Sequence, residues 1–362
     1  MEKQFSLKRF FKIRGMGPAL TAFGGLIVIY SAFGFINPTV FSSANIMNLL
    51  RAMSIYLLVG IGQSYVLITG NIDLSIGSVV GLSAMVSATL MSKKLPVMAA
   101  DGVTQLKDID GKPLFDALGM PAIYAVLIAI GCCLVVGLVN GILVGKFKLP
   151  PFIATLGTMF VARGAAYMVN KNRNTDAIAG GIGKEAADRF QDLLYYGKTL
   201  GIYNTFLIAL AIFAIFFFLL SKTRTGRHIY AIGSNVDAAK LSGVNVQATI
   251  TKTYLVSSFC SCVVGLILVA QATMGNMEAG ISYEMYGVAA GVIGGVSPLG
   301  GTGLLLGTLA GAAVWQTLQN GLSMIGAQVG IQRIVIGVIV VFAVLLDVVL
   351  RTGKRTKKMK PQ

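Results

Sequence analysis

The sequence predicts an all-α membrane protein, a polytopic bundle of about ten transmembrane helices with broken or re-entrant segments. Of its 362 residues 55% are hydrophobic and only 12% are charged, which is about half the charge density of a soluble protein. Apolar runs long enough to cross a hydrocarbon core of about 30 Å recur along the chain. No stretch between them could hold a soluble domain, so residues 1–362 are predicted to form a single transmembrane domain.

The apolar runs place the helices in order along the chain. The predicted spans are roughly 18–36, 53–70, 74–92, 121–145, 149–170, 203–221, 253–275, 285–298, 302–320 and 328–347. The first follows a basic segment, as the core of a signal peptide would, but its length and the lack of a small-residue cleavage site favour an uncleaved span. The eighth is short and rich in glycine.

The distribution of charge predicts the orientation. If the N-terminus is cytoplasmic, the inner segments hold 18 of the 30 Lys and Arg residues, mostly in the basic tails 1–17 and 348–362 and in the loop 222–252. The outer segments hold ten, balanced by ten Asp and Glu. This positive-inside pattern predicts a multi-pass cell-membrane protein with both termini cytoplasmic. The basic residues are divided among short segments, which argues against nucleic-acid binding and leaves membrane lipids as the surroundings.

Two arginines, Arg163 and Arg333, fall within spans. We expect them to extend to the outer surface, although a role in the pathway stays open. The tail 351–360 is interpreted as a topology anchor rather than a lipid-binding cluster.

Metal, cofactor and enzyme chemistry have little support in the sequence. The four cysteines lie in apolar runs without zinc-ligand spacing, and His228 is the only histidine. No complete nucleotide-binding motif, nucleophile elbow or catalytic triad is present. We therefore expect no metal site, no cofactor and no enzymatic activity in this chain.

The first unusual span boundary is the segment Thr69–Gly77, which contains Asn71, Asp73 and Ser75. A carboxylate within the membrane costs roughly 2.5–3.5 kcal/mol on insertion scales. One interpretation is a tight turn at the inner surface, with Asp73 capping a helix that starts at Leu74. The other is a broken helix beside a solute pathway, and the sequence leaves both open.

The second unusual segment, residues 291–303, holds six glycines and a proline. Irregular backbone at membrane depth is tolerated only where protein buries it or where it lines a cavity. Neutral polar residues in other spans could either wet a pathway or form interhelical hydrogen bonds. The candidates for the pathway or the helix breaks are Asn71, Asp73, Ser75, Gln271, Gly294, Gly295, Ser297, Gly300, Gly301 and Asn320.

The inner loop 222–252 is longer than topology requires. Ser234 and Asn235 are N-cap residue types ahead of a short helix, Val236–Leu241, which Gly243 can end. Ala238 and Ala239 give this helix a small-residue face, which suits docking into a groove of a partner.

These segments together resemble the ribose/galactose/xylose-type permeases of binding-protein-dependent ABC importers. The resemblance extends from Pro38 to Asp347. It rests on TGNIDLSIGS at 69–78, PPFIATLGTM at 150–159, ARG at 162–164, the loop 223–246, GGVS at 294–297, GG at 300–301 and NGL at 320–322. Asn71, Val236, Asp237 and Thr302 replace the glycine, proline, glutamate and arginine that are usual in the family.

The resemblance implies a permease subunit that provides the pathway for a monosaccharide. Its partners would be a separate cytoplasmic ABC ATPase, an extracytoplasmic sugar-binding protein and a second permease copy, identical or related. The ATPase-coupling loop would include Arg224, Arg227, Gly233, Asn235, Asp237, Ala238, Ala239 and Gly243.

Two alternatives remain open at this point. An ion-coupled secondary transporter would need intramembrane carboxylates or histidines, for which only Asp73 and Asp347 qualify. An ABC permease for nucleosides or another hydroxyl-rich solute would share the same features.

Overall fold

A computed structural model describes residues 16–96, 115–335, 337–339, 341 and 345. Several predictions fall outside these residues. They are the inner tails 1–17 (except Met16 and Gly17) and 348–362, the anchor at 351–360, Asp347, and the middle of the outer loop 93–120.

Helices make up nearly all the regular structure. In chain order they are α1 Met16–Ile36, α2 Ser43–Ile68, α3 Ile76–Ser92, α4 Ala122–Gly145, α5 Pro151–Val169, α6 Ala179–Ile182, α7 Lys184–Gln191, α8 Asn204–Lys222, α9 Arg224–Ser234, α10 Val236–Leu241, α11 Val246–Ala272, α12 Tyr283–Ile293 and α13 Leu305–Met324. A further helix begins at Val329. A 3₁₀ turn, Pro38–Phe41, precedes α2, and a π-helical turn, Asp192–Tyr196, follows α7.

The strands of the described residues form two short antiparallel pairs. β1 (Lys94–Pro96) pairs antiparallel with β2 (Phe115–Ala117), and β3 (Lys198–Thr199) pairs antiparallel with β4 (Ile202–Tyr203). Both hairpins lie between helices and leave the all-α character unchanged.

Six helices are long and apolar enough to cross a membrane: α1, α2, α4, α5, α8 and α11. α3 and the helix from Val329 are apolar but shorter. The prediction of an all-α polytopic bundle is therefore confirmed. α2 begins at Ser43 rather than near residue 53, because Ser42 caps it by accepting a hydrogen bond from the Asn45 backbone N–H at 3.3 Å.

The described residues group into two compact units. The first is formed by residues up to 72, by 209–253 and by those from 284 onward. In it α13 packs against α1 and α2, while α9 packs against α10 and α2. Its core includes Leu57, Ile61 and Leu305, which are inaccessible to solvent.

The second unit is formed by residues 73–208 and 254–283. α3 packs against both α4 and α5, which also contact each other. Val79 and Met85 of α3 share a buried cluster with Cys133 of α4 and Cys262 of α11. α3 is buried along most of its length. Its apolar side chains therefore pack in the protein interior and are not only a sign of contact with lipid.

Candidate functional site

The turn ahead of α3 contains a fully buried carboxylate. Asp73 is 1% exposed. Its Oδ1 accepts hydrogen bonds from the backbone N–H of Ser75 at 2.9 Å and from the Ser75 hydroxyl at 2.6 Å. Its Oδ2 accepts one from the hydroxyl of Ser257 on α11, at 2.7 Å. Such donors compensate a buried carboxylate for the water that it loses.

The prediction that Asp73 caps a helix starting at Leu74 is wrong. α3 begins at Ile76, and Ser75 occupies its N-cap position without a side-chain capping bond. Asp73 instead bonds the residue two positions ahead, which closes a local Asx turn. Its second oxygen ties that turn to α11.

The hydrogen bonds continue beyond the carboxylate into two further helices. The Ser75 hydroxyl accepts a bond from the Asn140 side-chain amide at 2.9 Å, and the Asn140 carbonyl oxygen accepts one from the Thr158 hydroxyl at 2.6 Å. A chain of polar side chains therefore links α11, the turn before α3, α4 and α5. Each member satisfies its neighbour, which makes a buried network rigid.

Arg163, in the middle of α5, points into the second unit. Its Nη1 donates to the backbone oxygens of Met277 at 2.9 Å and Ala279 at 2.8 Å, and its Nη2 donates to that of Gly77 at 2.9 Å. The guanidinium therefore reaches the backbone of the predicted outer segment 276–284 and that of Gly77. A guanidinium carries several donors in a fixed plane and can satisfy carbonyl groups that a broken backbone leaves without helical partners.

Gly81 provides the space for this guanidinium. A Cβ at position 81 would lie 2.5 Å from Nη1 of Arg163. Reasoning from the sequence alone missed Arg163 as an organising residue. The available signal was a charged residue between two small ones, Ala162 and Gly164, within an otherwise apolar run.

In the first unit, a glycine hairpin of residues 294–304 separates α12 from α13. Gly295, Gly300 and Gly301 have φ values of +84°, +85° and +72°, which side chains rarely adopt. Gly294 lies against Gly307, and a Cβ at position 294 would overlap the Gly307 carbonyl group. The regular helix therefore breaks where the sequence predicted; Gly294–Ser297 are buried, whereas Pro298 and Leu299 are exposed.

The glycine hairpin contacts the C-terminal end of α2. The backbone N–H of Gly301 donates to the oxygen of Ile68 at 2.8 Å, which satisfies a carbonyl group that the end of a helix leaves free. Ser297 stabilises the hairpin: its N–H donates to the Thr302 oxygen at 3.0 Å, and its hydroxyl accepts from the Leu299 N–H at 3.3 Å.

α9 packs over the same junction. A Cβ at Gly233 would overlap the Ile68 oxygen and the Gly301 nitrogen. The Tyr230 hydroxyl donates to the oxygen of Gly303 at 2.8 Å, and burial raises the pKa of Tyr230 to about 12. α9 therefore contacts both the glycine hairpin and the end of α2.

α10 follows α9 after a single residue. The side chain of Asn235 caps it by accepting from the Ala238 N–H at 2.9 Å. Ser234, predicted as a second capping candidate, is instead the last residue of α9. Ala239 is buried whereas Ala238 is exposed, so the predicted face containing both alanines is wrong.

The exposed surface of α10 is apolar at its two ends. Val236 is 47% exposed and Leu241 is 90% exposed. Arg224, Arg227, Asp237 and Gly243 of the predicted coupling loop are also exposed. A short capped helix with apolar side chains in solvent is typical of a docking element.

The remaining candidates divide between the two units. In the first, Asn320 and Asn45 exchange side-chain hydrogen bonds of 3.0 and 3.1 Å, and the amide of Asn71 donates to the Thr69 hydroxyl at 2.8 Å. Gln271 lies in the second unit, exposed near the end of α11. The candidates thus form separate local groups.

The sequence analysis also missed an aromatic cluster in the first unit. The Trp315 ring centroid lies 5.1 Å from that of Tyr286 and 6.3 Å from that of Tyr56. Gln63 is fully buried, and its amide has no hydrogen-bond partner among the described residues. Within that part of the chain, no group of three or more His, Cys, Asp or Glu side chains could hold a metal ion.

Six membrane-length helices, a buried polar turn and a glycine break between helices are features typical of membrane transport proteins. Residues 45–344 match the family described as "Branched-chain amino acid transport system / permease component". The chain belongs to this permease family.

Curated relatives resemble the chain over most of its length. The ribose import permease protein of Haemophilus influenzae is 34% identical over 333 residues, covering 92% of this chain and 94% of the relative. That of Bacillus subtilis is 34% identical over 334 residues, with the same coverage. The galactose/methyl galactoside import permease protein of Escherichia coli is 32% identical over 322 residues, covering 89% and 91%. No solved structure matches the chain.

These relatives confirm the resemblance to ABC-importer permeases. The chain is a multi-pass membrane subunit of a transporter and not an enzyme. They support this interpretation and not the ion-coupled alternative.

Proposed function

We propose that this chain forms the translocation pathway of an ATP-driven, binding-protein-dependent importer of a monosaccharide. The observation that carries the proposal is the identity of 30–34%, over about nine tenths of the chain, to permeases named for the import of ribose and of galactose. Ribose and galactose are therefore the first solutes to test. A nucleoside is the hydroxyl-rich alternative.

The ATPase partner docks on α9 and α10. Leu241 and Val236 present apolar surface to solvent, and a partner groove that covered them would gain hydrophobic stabilisation. α9 contacts the end of α2 and the glycine hairpin through Gly233. Closure of the ATPases would move α10, then α9, then the broken segment, and so exchange outward- and inward-facing states.

The other partners follow from the same assignment. A second permease copy completes the transporter within the membrane, and an extracytoplasmic binding protein delivers the sugar. The excess of Lys and Arg in segments 1–17, 222–252 and 348–362 supports cytoplasmic termini and an ATPase on that side.

The first test is ATP-driven uptake of radiolabelled ribose and galactose into vesicles that contain the permease, its candidate ATPase and its binding protein. Leu241→Asp and Ala238→Arg alter exposed positions of α10, so we expect each to lower the co-purified ATPase by about tenfold. Ala239→Arg is unsuitable because Ala239 is buried. The matched control is Leu200→Asp, in the hairpin β3–β4, where the side chain is 96% exposed.

Three results would change the proposal. Transport by the permease alone down an ion gradient, without ATP, would refute the importer. Uptake of a nucleoside in place of either sugar would correct the solute class. Loss of the ATPase in Leu200→Asp as strong as in Leu241→Asp would refute the docking site.

A further inference from the structure

A cavity of about 290 Å³ lies within the second unit, beside the irregular segment that follows α11. Polar side chains on its wall come from Gln271, Asn276, Glu278 and Tyr283, and apolar ones from Ala84 and Leu268. Small-molecule sites measure about 300–1,000 Å³ and combine an apolar wall with a few polar groups. The cavity is just below the lower limit of this range, which suits a ligand as small as a single sugar ring.

The carboxylate on this wall is free to bind a ligand. The ion pairs of the described residues join Lys94 to Asp176 and Arg189 to Glu185, and Glu278 takes part in neither. Its side chain is exposed. An ionised carboxylate only accepts hydrogen bonds and can accept several, so adjacent hydroxyl groups are matched ligands.

The backbone around Glu278 is fixed from both sides. Arg163 donates to the carbonyl oxygens of Met277 and Ala279, the residues that flank Glu278. The side-chain oxygen of Asn276 accepts a hydrogen bond from the Glu278 backbone N–H at 2.9 Å. The Ile281 backbone N–H donates one to the Glu278 backbone carbonyl oxygen at 3.3 Å. The backbone at Glu278 is fixed in this way, so binding a ligand has to order only the side chain.

We propose that this cavity is a monosaccharide-binding subsite of the permease. This inference rests on the proposed function and names the residues at which the sugar would bind. The Glu278 carboxylate accepts hydrogen bonds from two neighbouring sugar hydroxyls, and the Gln271 and Asn276 amides bond further hydroxyls. The ring of Tyr283 and the apolar wall contact the C–H groups of the sugar. Arg163 is a positioning residue that acts through the backbone on either side of Glu278.

The predicted ligand is neutral and rich in hydroxyls. Hydrogen bonds to an ionised acceptor are about twice as strong as neutral ones, so vicinal hydroxyls gain most. A sugar phosphate would be repelled by the carboxylate. Because segment 276–284 is an outer segment by the charge pattern, this subsite receives the sugar from the binding protein.

Occupancy can be measured without transport. Ile281 lines the cavity and is 52% exposed, so Ile281→Cys places a reactive thiol beside an intact Glu278. The full-length permease in nanodiscs is labelled with a charged thiol reagent, and the unsubstituted chain corrects for its own cysteines. We expect 50 mM ribose or galactose to slow labelling at least threefold, and equal glycine betaine, a solute without hydroxyl groups, to have little effect.

Two added substitutions test the named residues. On the Ile281→Cys background, Glu278→Gln should abolish the protection. Arg163→Lys should raise the sugar concentration for half-protection about tenfold. Glu185→Gln, at an exposed carboxylate on α7, is the matched control and should keep the protection. Membrane abundance and thermal transitions equal to the parent would show that each variant folds.

The results separate this inference from the proposed function. Suppose that the complete transporter imports sugar with ATP, but that sugar slows labelling of the Glu278→Gln variant as much as that of its parent. The subsite is then refuted and the importer stands. If sugar never slows labelling at position 281, the subsite is likewise refuted. If the wild-type transporter does not import sugar but does import another solute, the proposed function fails, whatever the labelling gives.

Discussion

Asp73, in the turn before α3, and Arg163, on α5, are charged side chains of the second unit that are bound by different groups. The carboxylate of Asp73 accepts from hydroxyl and backbone donors on Ser75 and Ser257. Arg163 donates to backbone oxygens, including that of Gly77. Both stabilise irregular backbone, at the turn before α3 and in the segment after α11, because unsatisfied polar groups in a membrane cost several kcal/mol each.

We predict that Asp73→Ala destabilises the permease more than Asp73→Asn. Alanine leaves the Ser75 and Ser257 hydroxyls without an acceptor, at a cost of about 1–3 kcal/mol for each buried group. Asparagine keeps an acceptor for Ser75 and places a donor near Ser257. Thermal unfolding of the purified protein in detergent measures the difference.

Ser257→Ala is the control for this prediction. It removes one partner and leaves the bonds from Ser75, so its effect should lie between wild type and Asp73→Ala. An unfolding temperature for Asp73→Ala equal to that of wild type would contradict a structural role for the network.

At the scale of elements, the ends of α2 and α9 meet at the glycine hairpin 294–304 in the first unit. It contacts the end of α2 through Gly301 and the end of α9 through Gly233. Backbones this close leave no room for a β-carbon. The glycines therefore allow α9 to sit directly against the break between α12 and α13.

We predict that Gly233→Ala uncouples ATP hydrolysis from transport. The added Cβ overlaps backbone atoms of Ile68 and Gly301, so α9 must shift away from the glycine hairpin. Uptake should fall about tenfold or more, whereas the ATPase still co-purifies because the exposed surface of α10 is unchanged. Uptake and ATP hydrolysis are measured on the same vesicles.

Gly157→Ala, on α5, is the matched control. A Cβ there meets nothing within 4 Å, and alanine favours a helix over glycine by about 1 kcal/mol. Its uptake should match wild type. Normal coupling in Gly233→Ala would refute transmission through this contact.

For the whole molecule, the alternation of helices and loops determines which segments lie on opposite sides of the membrane. Leu200 and Leu241 are 96% and 90% exposed, and a single membrane-length helix, α8, lies between them. A membrane-crossing α8 therefore puts these two positions on opposite sides.

We predict that a membrane-impermeant thiol reagent added to intact cells labels Leu200→Cys but not Leu241→Cys. After permeabilisation both should react. The background is low because three native cysteines are buried and Cys132 is only partly exposed, and the unsubstituted chain measures it. The reverse labelling would overturn the assignment of 222–252 to the cytoplasm.

Much of the fold could be predicted from the sequence. The spans at 121–145, 149–170 and 203–221 correspond to α4 Ala122–Gly145, α5 Pro151–Val169 and α8 Asn204–Lys222. Such helices are local features, because a long apolar run has few other ways to satisfy its backbone in a membrane. The break at 291–303 was local too, since glycine and proline disfavour helix wherever they cluster. The motifs that resemble the importer permeases are likewise continuous segments, which can be recognised in the sequence alone.

Only the tertiary structure decided which groups meet. Arg163 lies 114 residues from Met277 along the chain and Asp73 lies 184 from Ser257, so no local pattern could pair them. The sequence placed Ala238 and Ala239 together, but packing buried one and exposed the other. Hydropathy determines that a segment enters the membrane, whereas hydrogen bonds and close packing depend on distant segments that folding brings together.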